Sequence, residues 1–286
     1  MKKVLKIAAM LLLLVIGIYI FLEYYIPPLD KNHGKIRCTL YVGKSENQPL
    51  IVGFGGSEGG NPWESNYWKP TRDEFLKRGY AFLAVEYFGG KATSSNLDRI
   101  SLNAIHDSIR NAAKNSHIDA SKIAIIGGSK GGELVLNLAS LYSDIDAVVA
   151  IVASNVTFPA LTVMNNTSSW TYNDKEVPFI LPPYAIIPYL LNGDRLGAFQ
   201  MMLLEEESVK KAVIPVENMN ASVLLLSATQ DEEWPSMEMS ESIVKRLREK
   251  NYKKYYQHIP IAGGHTEPLK HFDIVFDFLD NHFINE

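Results

Sequence analysis

Gly127-Gly128-Ser129-Lys130-Gly131 sets a serine two residues from a glycine on either side. That G-x-S-x-G spacing lets a backbone double back without a side chain striking its neighbour. Ile123-Ala124-Ile125-Ile126 ahead of it reads as a short buried strand, and a helical pattern begins at Glu133. A serine on such a strand-to-helix turn has its hydroxyl lifted above the sheet. The N–H of Lys130 then lies at a helix N-terminus, where it can face a developing oxyanion. Serine keeps its proton at neutral pH, so the chemistry needs a base and a group that orients the base. His265, in the loop Ala262-Gly263-Gly264-His265-Thr266-Glu267-Pro268, can take the proton. Asp231 follows the strand pattern Val223 to Ala228 and can fix the tautomer of His265. Glu232 and Glu233 are alternatives for the acid, but Asp231 comes first after the strand and has the shortest reach. His258 sits in a strand pattern and His271 in a helix, while His106 and His117 precede the serine and belong to no motif. All four read as structural or surface residues.

The order serine, acid, histidine belongs to the α/β-hydrolase fold, and the elements that must position these residues agree with it. Ile36 to Val42 and Leu50 to Phe54 read as strands, the first at a sheet edge. Thr71 to Arg78 reads as a helix, Tyr80 to Tyr87 as a strand, and Leu97 to Asn115 as an amphipathic helix. Ala147 to Ala153, Val223 to Ala228 and Lys254 to Ile259 read as further strands, with helices over Pro235 to Lys250 and Leu269 to Phe283. Such alternation predicts a mostly parallel sheet with helices on both faces. The loop Gly53 to Gly60 leaves the carboxyl end of its strand, where open α/β sheets bind ligands. It matches no phosphate-cradling pattern, so it is expected to offer a second oxyanion donor, Gly56 first and Ser57 next. Residues 154–221 break the rhythm with prolines and aromatics and predict a cap, with a helix from Leu196 to Glu207. Phe158, Met164, Trp170, Phe179, Tyr184, Ile186, Ile187 and Tyr189 can line an acyl pocket there or pack the cap's own core.

The chain of 286 residues carries a net charge of -4, which gives no basic field for nucleic acid. One cysteine, Cys38, allows no internal disulfide, and no Cys/His cluster has metal-ligand spacing. Neither a metal nor another cofactor is expected. Ile7 to Leu22 is an uncharged apolar run after Lys2, Lys3 and Lys6, a membrane-targeting segment. As a helix it reaches about 24 Å, slightly short of a hydrocarbon core of roughly 30 Å. Val4, Leu5, Tyr24, Tyr25 and Ile26 extend it while Lys6 and Glu23 snorkel. The end of the run lacks the small residues of a cleavage site, so an uncleaved anchor is favoured over a signal peptide. Lysines before it and an acid after it predict a cytoplasmic N-terminus and an exported domain. The domain reading is an anchor over 1–26, a linker over 27–35 and a catalytic domain over 36–286.

From about Gly34 onward the chain resembles the catalytic domain of the acyl-CoA thioesterase and bile acid-CoA:amino acid N-acyltransferase family. Gly128-Ser129-Lys130-Gly131-Gly132-Glu133-Leu134 carries most of the likeness. Ile214-Pro215-Val216-Glu217, the Asp231 to Trp234 segment and Gly264-His265-x-Glu267-Pro268 add to it. The resemblance implies a Ser129, Asp231, His265 triad and thioester chemistry. Amino acid transferases of that family carry cysteine as nucleophile, so serine here favours hydrolysis. Animal members place a β-sandwich domain before the catalytic one, and the stretch from Ile26 to Leu50 is too short for it. Coenzyme A thioesters are cytosolic, so export would point to another ester as substrate. A serine hydrolase is therefore expected, with an acyltransferase and a non-catalytic binding protein as the competing readings.

Overall fold

The computed structural model describes residues 2–162 and 165–284, with the side chains of Leu22 and Glu23 outside the description. Met164 and the Glu23 side chain, both invoked above, fall outside it. Helix α1 (Lys2–Tyr24) opens the chain, and its Lys2–Phe21 portion is long and apolar enough to cross a membrane or to serve as a signal sequence. Strands β1 (Arg37–Tyr41) and β2 (Gln48–Phe54) follow, then α2 (Lys69–Lys77) and β3 (Ala81–Glu86). Next come β4 (Ile100–Ser101), α3 (Leu102–Ala112), β5 (Ile118–Gly128), α4 (Lys130–Leu141) and β6 (Ala147–Ile151).

Between β6 and the next strand of the main sheet, the chain forms β7 (Trp170–Tyr172), β8 (Lys175–Glu176), α5 (Ile187–Leu191), α6 (Arg195–Leu203) and α7 (Glu206–Ala212). This segment is called the cap below. β9 (Ser222–Ala228), α8 (Ser236–Glu249), β10 (Tyr256–Ile261) and α9 (Phe272–His282) complete the fold. Seven strands form one sheet in the order β1-β3-β2-β5-β6-β9-β10. Only β1 runs antiparallel, at the edge expected for it.

Alternation along β2 shows how the sheet is buried on both faces. Leu50, Val52 and Phe54 join the core under α3, α4 and α8, whereas Ile51 joins the opposite core with Phe75 of α2 and Phe276 and Leu279 of α9. Such two-sided burial is why the central strands read as continuous apolar runs.

Two expected helices differ in extent. Leu97 to Arg99 is bent, with Arg99 at φ 50°, and Ile100 and Ser101 pair with Trp170 and Thr171 of β7. The Ser101 hydroxyl then accepts the Ala104 N–H at 3.2 Å and starts α3 there. The cap helix is two helices. Asp194 caps α6 by accepting the Gly197 N–H at 2.8 Å. Glu206 and Glu207 occupy the first turn of α7 and Lys210 and Lys211 its last, matching the dipole of a new helix.

Candidate active site

Ser129 stands between β5 and α4 with φ 55° and ψ -122°, a backbone conformation that L-residues rarely adopt. The glycines around it are required by close approach. A Cβ on Gly127 would stand 2.2 Å from the Gly131 carbonyl oxygen, and one on Gly131 would stand 2.4 Å from that of Gly55. The elbow and the loop after β2 are therefore pressed backbone to backbone. Lys130 opens α4, so its N–H is one of the helix's unpaired N-terminal donors.

The loops after β9 and β10 bring the acid and the base together. His265 Nδ1 lies 2.8 and 2.9 Å from the two Asp231 carboxylate oxygens. Nδ1 then carries the proton and Nε2 is left as the base. Burial opposes the charge on Asp231, but hydrogen bonds from His265, Ser236 and the Glu233 N–H outweigh it and hold its carboxyl below the usual range. The two glutamates beside it have other partners. Glu232 accepts the backbone N–H of His265 at 2.9 Å, and Glu233 pairs with Arg195 of α6 at 2.6 Å. Among the three acids, Asp231 alone faces the imidazole.

Ser129 and His265 border one cavity of about 230 Å³, together with Gly56, Glu58, Trp63, Trp68 and Leu269. No direct hydrogen bond joins Ser129 Oγ to His265 among the described residues; such bonds commonly tighten only once substrate is bound. Ser129 also borders a second cavity of about 250 Å³ under the cap. That one is mostly apolar, with Phe158, Leu161, Ile186, Leu190, Phe199 and Met202 in its wall. The serine thus stands where two compartments meet, shared also by Ser57, Arg195 and Glu233.

Gly56 is placed beside the serine, since a Cβ on it would lie 3.3 Å from that of Ser129. Its N–H, however, donates to the Glu58 carboxylate at 3.0 Å. Glu58 was not singled out from the sequence, where it is one more residue of a glycine-rich loop. Of the aromatic and aliphatic residues that could line an acyl pocket or pack the cap's own core, Phe158 and Ile186 border the cavity. Trp170 does not, because its ring belongs to the main core and its Nε1 donates to Glu133 at 2.7 Å. Tyr184 and Ile187 are exposed. His258 bonds the Ser227 hydroxyl and His106 pairs with Asp144, both structural roles.

Directly beneath the elbow is a buried ion pair. Lys130 Nζ bonds Glu133 Oε1 at 2.8 Å, and Glu133 Oε2 accepts the backbone N–H of Phe158 in the cap at 3.2 Å. Burial pushes the Glu133 carboxyl up and the Lys130 ammonium down, and each offsets part of the other's shift. The signal for it is the Lys130 and Glu133 spacing, one turn apart on a helix whose residues Lys130 to Ser140 are all buried.

A parallel sheet with a serine elbow after β5, an acid after β9 and a histidine after β10 defines an α/β-hydrolase fold. Solved structures agree on that fold: the acylaminoacyl peptidase of Pyrococcus horikoshii superposes with TM-score 0.62 at 18% identity, over 87% of this chain and 39% of that one. An acetyl xylan esterase from Paenibacillus sp. R4 gives TM-score 0.55 at 17% identity, over 86% and 79%. The chain belongs to the BAAT / acyl-CoA thioester hydrolase C-terminal family, whose model matches residues 102–269. Mouse acyl-coenzyme A thioesterase 1 is 26% identical over 241 residues, which is 83% of this chain and 53% of that protein. The chain spans about half the length of the curated relatives it matches.

Proposed function

We propose that this protein is a serine hydrolase that cleaves an acyl ester or thioester through an acyl-enzyme. The observation that carries the reading is the His265–Asp231 pair on the same cavity as a strained elbow serine. Ser129 Oγ attacks the acyl carbon as His265 Nε2 takes its proton. The tetrahedral oxyanion is held by the N–H groups of Lys130 and Gly56, the latter once Glu58 has swung aside. The C–O or C–S bond then breaks, and His265 returns the proton to the departing alcohol or thiol. Water attacks the acyl-enzyme and gives a proton to His265, which passes it to Ser129 Oγ as the acyl C–Oγ bond breaks, releasing the carboxylic acid and regenerating both groups. Asp231 orients the imidazole and stabilises its charged form. The compartment under the cap suits the acyl chain and the one beside His265 the leaving group.

Thioester cleavage is the first reading because the family and the curated relatives carry thioesterase names. A second reading, a carboxylic ester with a neutral leaving group, is favoured by the cavity walls. Their two cations are Lys130, buried against Glu133, and Arg195, paired with Glu233. A polyphosphate leaving group would find both already engaged. The α1 helix is read as an anchor that places the catalytic domain outside the cytoplasm, which points the same way.

The full chain should react with a fluorophosphonate at Ser129, and a parallel assay of acyl-CoA and simple esters should show turnover. Equal labelling of Ser129→Ala would overturn the nucleophile. Turnover no faster than that of His265→Ala across the panel would favour a binding protein, and a product formed with an added amine would favour an acyltransferase.

A further inference from the structure

We propose that the cap docks on a lipid bilayer beside α1 and that the apolar cavity opens into that bilayer, so that the acyl chain of the substrate enters from the lipid phase. From Pro178 to Gly193 the chain carries no charged residue. Leu181, Tyr184, Ile187, Leu190 and Leu191 in that stretch are all exposed, Leu191 at 82%, and α5 buries none of its own side chains. The body of the domain is different. Among the described residues from Asp30 onward and outside the cap, the exposed large apolar side chains are Tyr67 and Ile284. An exposed apolar cluster confined to one element marks an interaction surface.

What covers it is indicated by α1. Tyr19 of that helix lies with its ring 6.3 Å from the ring of Tyr184. The exit of α1 is held to the same side of the domain, where Asn166 of the cap donates to the Tyr25 carbonyl at 2.6 Å and Arg99 to that of Pro27 at 2.5 Å. A helix apolar enough to cross a membrane therefore meets the domain against this cluster. Tyr19, Phe21, Tyr24 and Tyr25 near its end have the aromatic character of a membrane–water boundary. Prolines 182, 183 and 188 keep the cap stretch itself from spanning, so it can lie only at the surface of the bilayer. Leu161 and Leu190 are both exposed and in the wall of the apolar cavity, which joins the surface to the site.

The docking half stands on exposure and the α1 contact; the access half rests on the hydrolase reading above. To test both, the full chain with Cys38→Ser is reconstituted in palmitoyl-oleoyl phosphatidylcholine vesicles. An environment-sensitive fluorophore is placed on Leu191→Cys or, at the opposite end of the sheet, on exposed Lys253→Cys. Docking gives blue-shifted emission at position 191, quenched by a nitroxide on the lipid acyl chain, with neither effect at 253. Solvent-like emission at 191 overturns it. A blue shift without lipid quenching also overturns it, and assigns the surface to a second copy or another protein.

For access, Ile187→Glu with Leu191→Glu should slow hydrolysis of a long-chain ester held in the vesicle about tenfold, with a water-soluble butyrate ester hydrolysed as before. Equal loss on both substrates overturns the access route. A wild-type chain that hydrolyses neither overturns the hydrolase reading and with it the access half, while the fluorophore still decides docking.

Discussion

The floor and the roof of the site are specified by different physics. In the floor, made of the elbow and the loops after β2, β9 and β10, backbone sterics and short hydrogen bonds decide nearly every position. A Cβ at Gly127 or Gly131 has nowhere to go, and Asp231, Glu232 and the His265 loop are tied within 3 Å of one another. The roof is held by side-chain packing of Val156, Phe158, Ile180, Met202 and Trp234, and its outer face is apolar and exposed. A floor of this kind tolerates little change, whereas a roof of this kind can be repacked. The Lys130–Glu133 pair is the joint, since the residue after Ser129 is bound through Glu133 to the Phe158 backbone of the cap.

Breaking the floor has the largest expected effect. His265→Ala should lower turnover of a soluble ester by about 10⁴-fold or more, with residual catalysis from the oxyanion donors. Steady-state kinetics checks it, with thermal unfolding to show that the fold persists. Breaking the joint comes next. Glu133→Ala leaves a buried ammonium unpaired and orphans the Phe158 and Trp170 N–H groups, so a loss of about 3–5 kcal/mol is expected in denaturant unfolding. Lys130→Met with Glu133→Leu should recover much of that loss, separating the cost of an unpaired charge from the value of the pair.

Repacking the roof is expected to be milder. Phe199→Ala, which opens the apolar cavity between Phe158 and Trp234, should shift kcat/KM toward longer acyl chains by about tenfold relative to a short one. A uniform loss at all chain lengths would show that this compartment does not hold the acyl group.

The same division explains what could be read from the sequence. Elbow, acid and histidine were legible because each is encoded within a few residues of a strand end, and each of the five central strands is an apolar run buried on both faces. Asp231 is preferred to Glu232 and Glu233 by reach alone, and its carboxylate is the one that lies against His265 Nδ1. The roof was not legible in this way. Its residues pair with distant ones, as Ile100 does with Trp170 and Glu133 does with the Trp170 indole. No local period distinguishes a residue facing the cavity from one facing a core, so the sequence leaves Trp170 open between the two, and its ring lies in the main core. Glu58 was missed for a related reason: its role follows from a side chain folding back onto the backbone two residues earlier.

Glu58 gives the smallest expected effect and the sharpest question about the floor. Its carboxylate takes the Gly56 N–H in the cavity that holds Ser129 and His265, which is where a negatively charged intermediate would need that donor. Glu58 is exposed, so the contact is weak and the side chain can leave. An oxyanion and a carboxylate cannot share one N–H, and the approach of two like charges is unfavourable. Glu58→Gln removes the charge while keeping an acceptor, and Glu58→Ala removes both. If the carboxylate competes with the intermediate, both variants should raise kcat on a soluble ester, alanine more, by about fivefold at most, as expected for releasing one hydrogen bond worth about 1 kcal/mol. KM should change little, because the competition arises only as the oxyanion forms. A fall in kcat with alanine that glutamine restores would reverse the assignment, making Glu58 the brace that holds the Gly56 loop against the elbow.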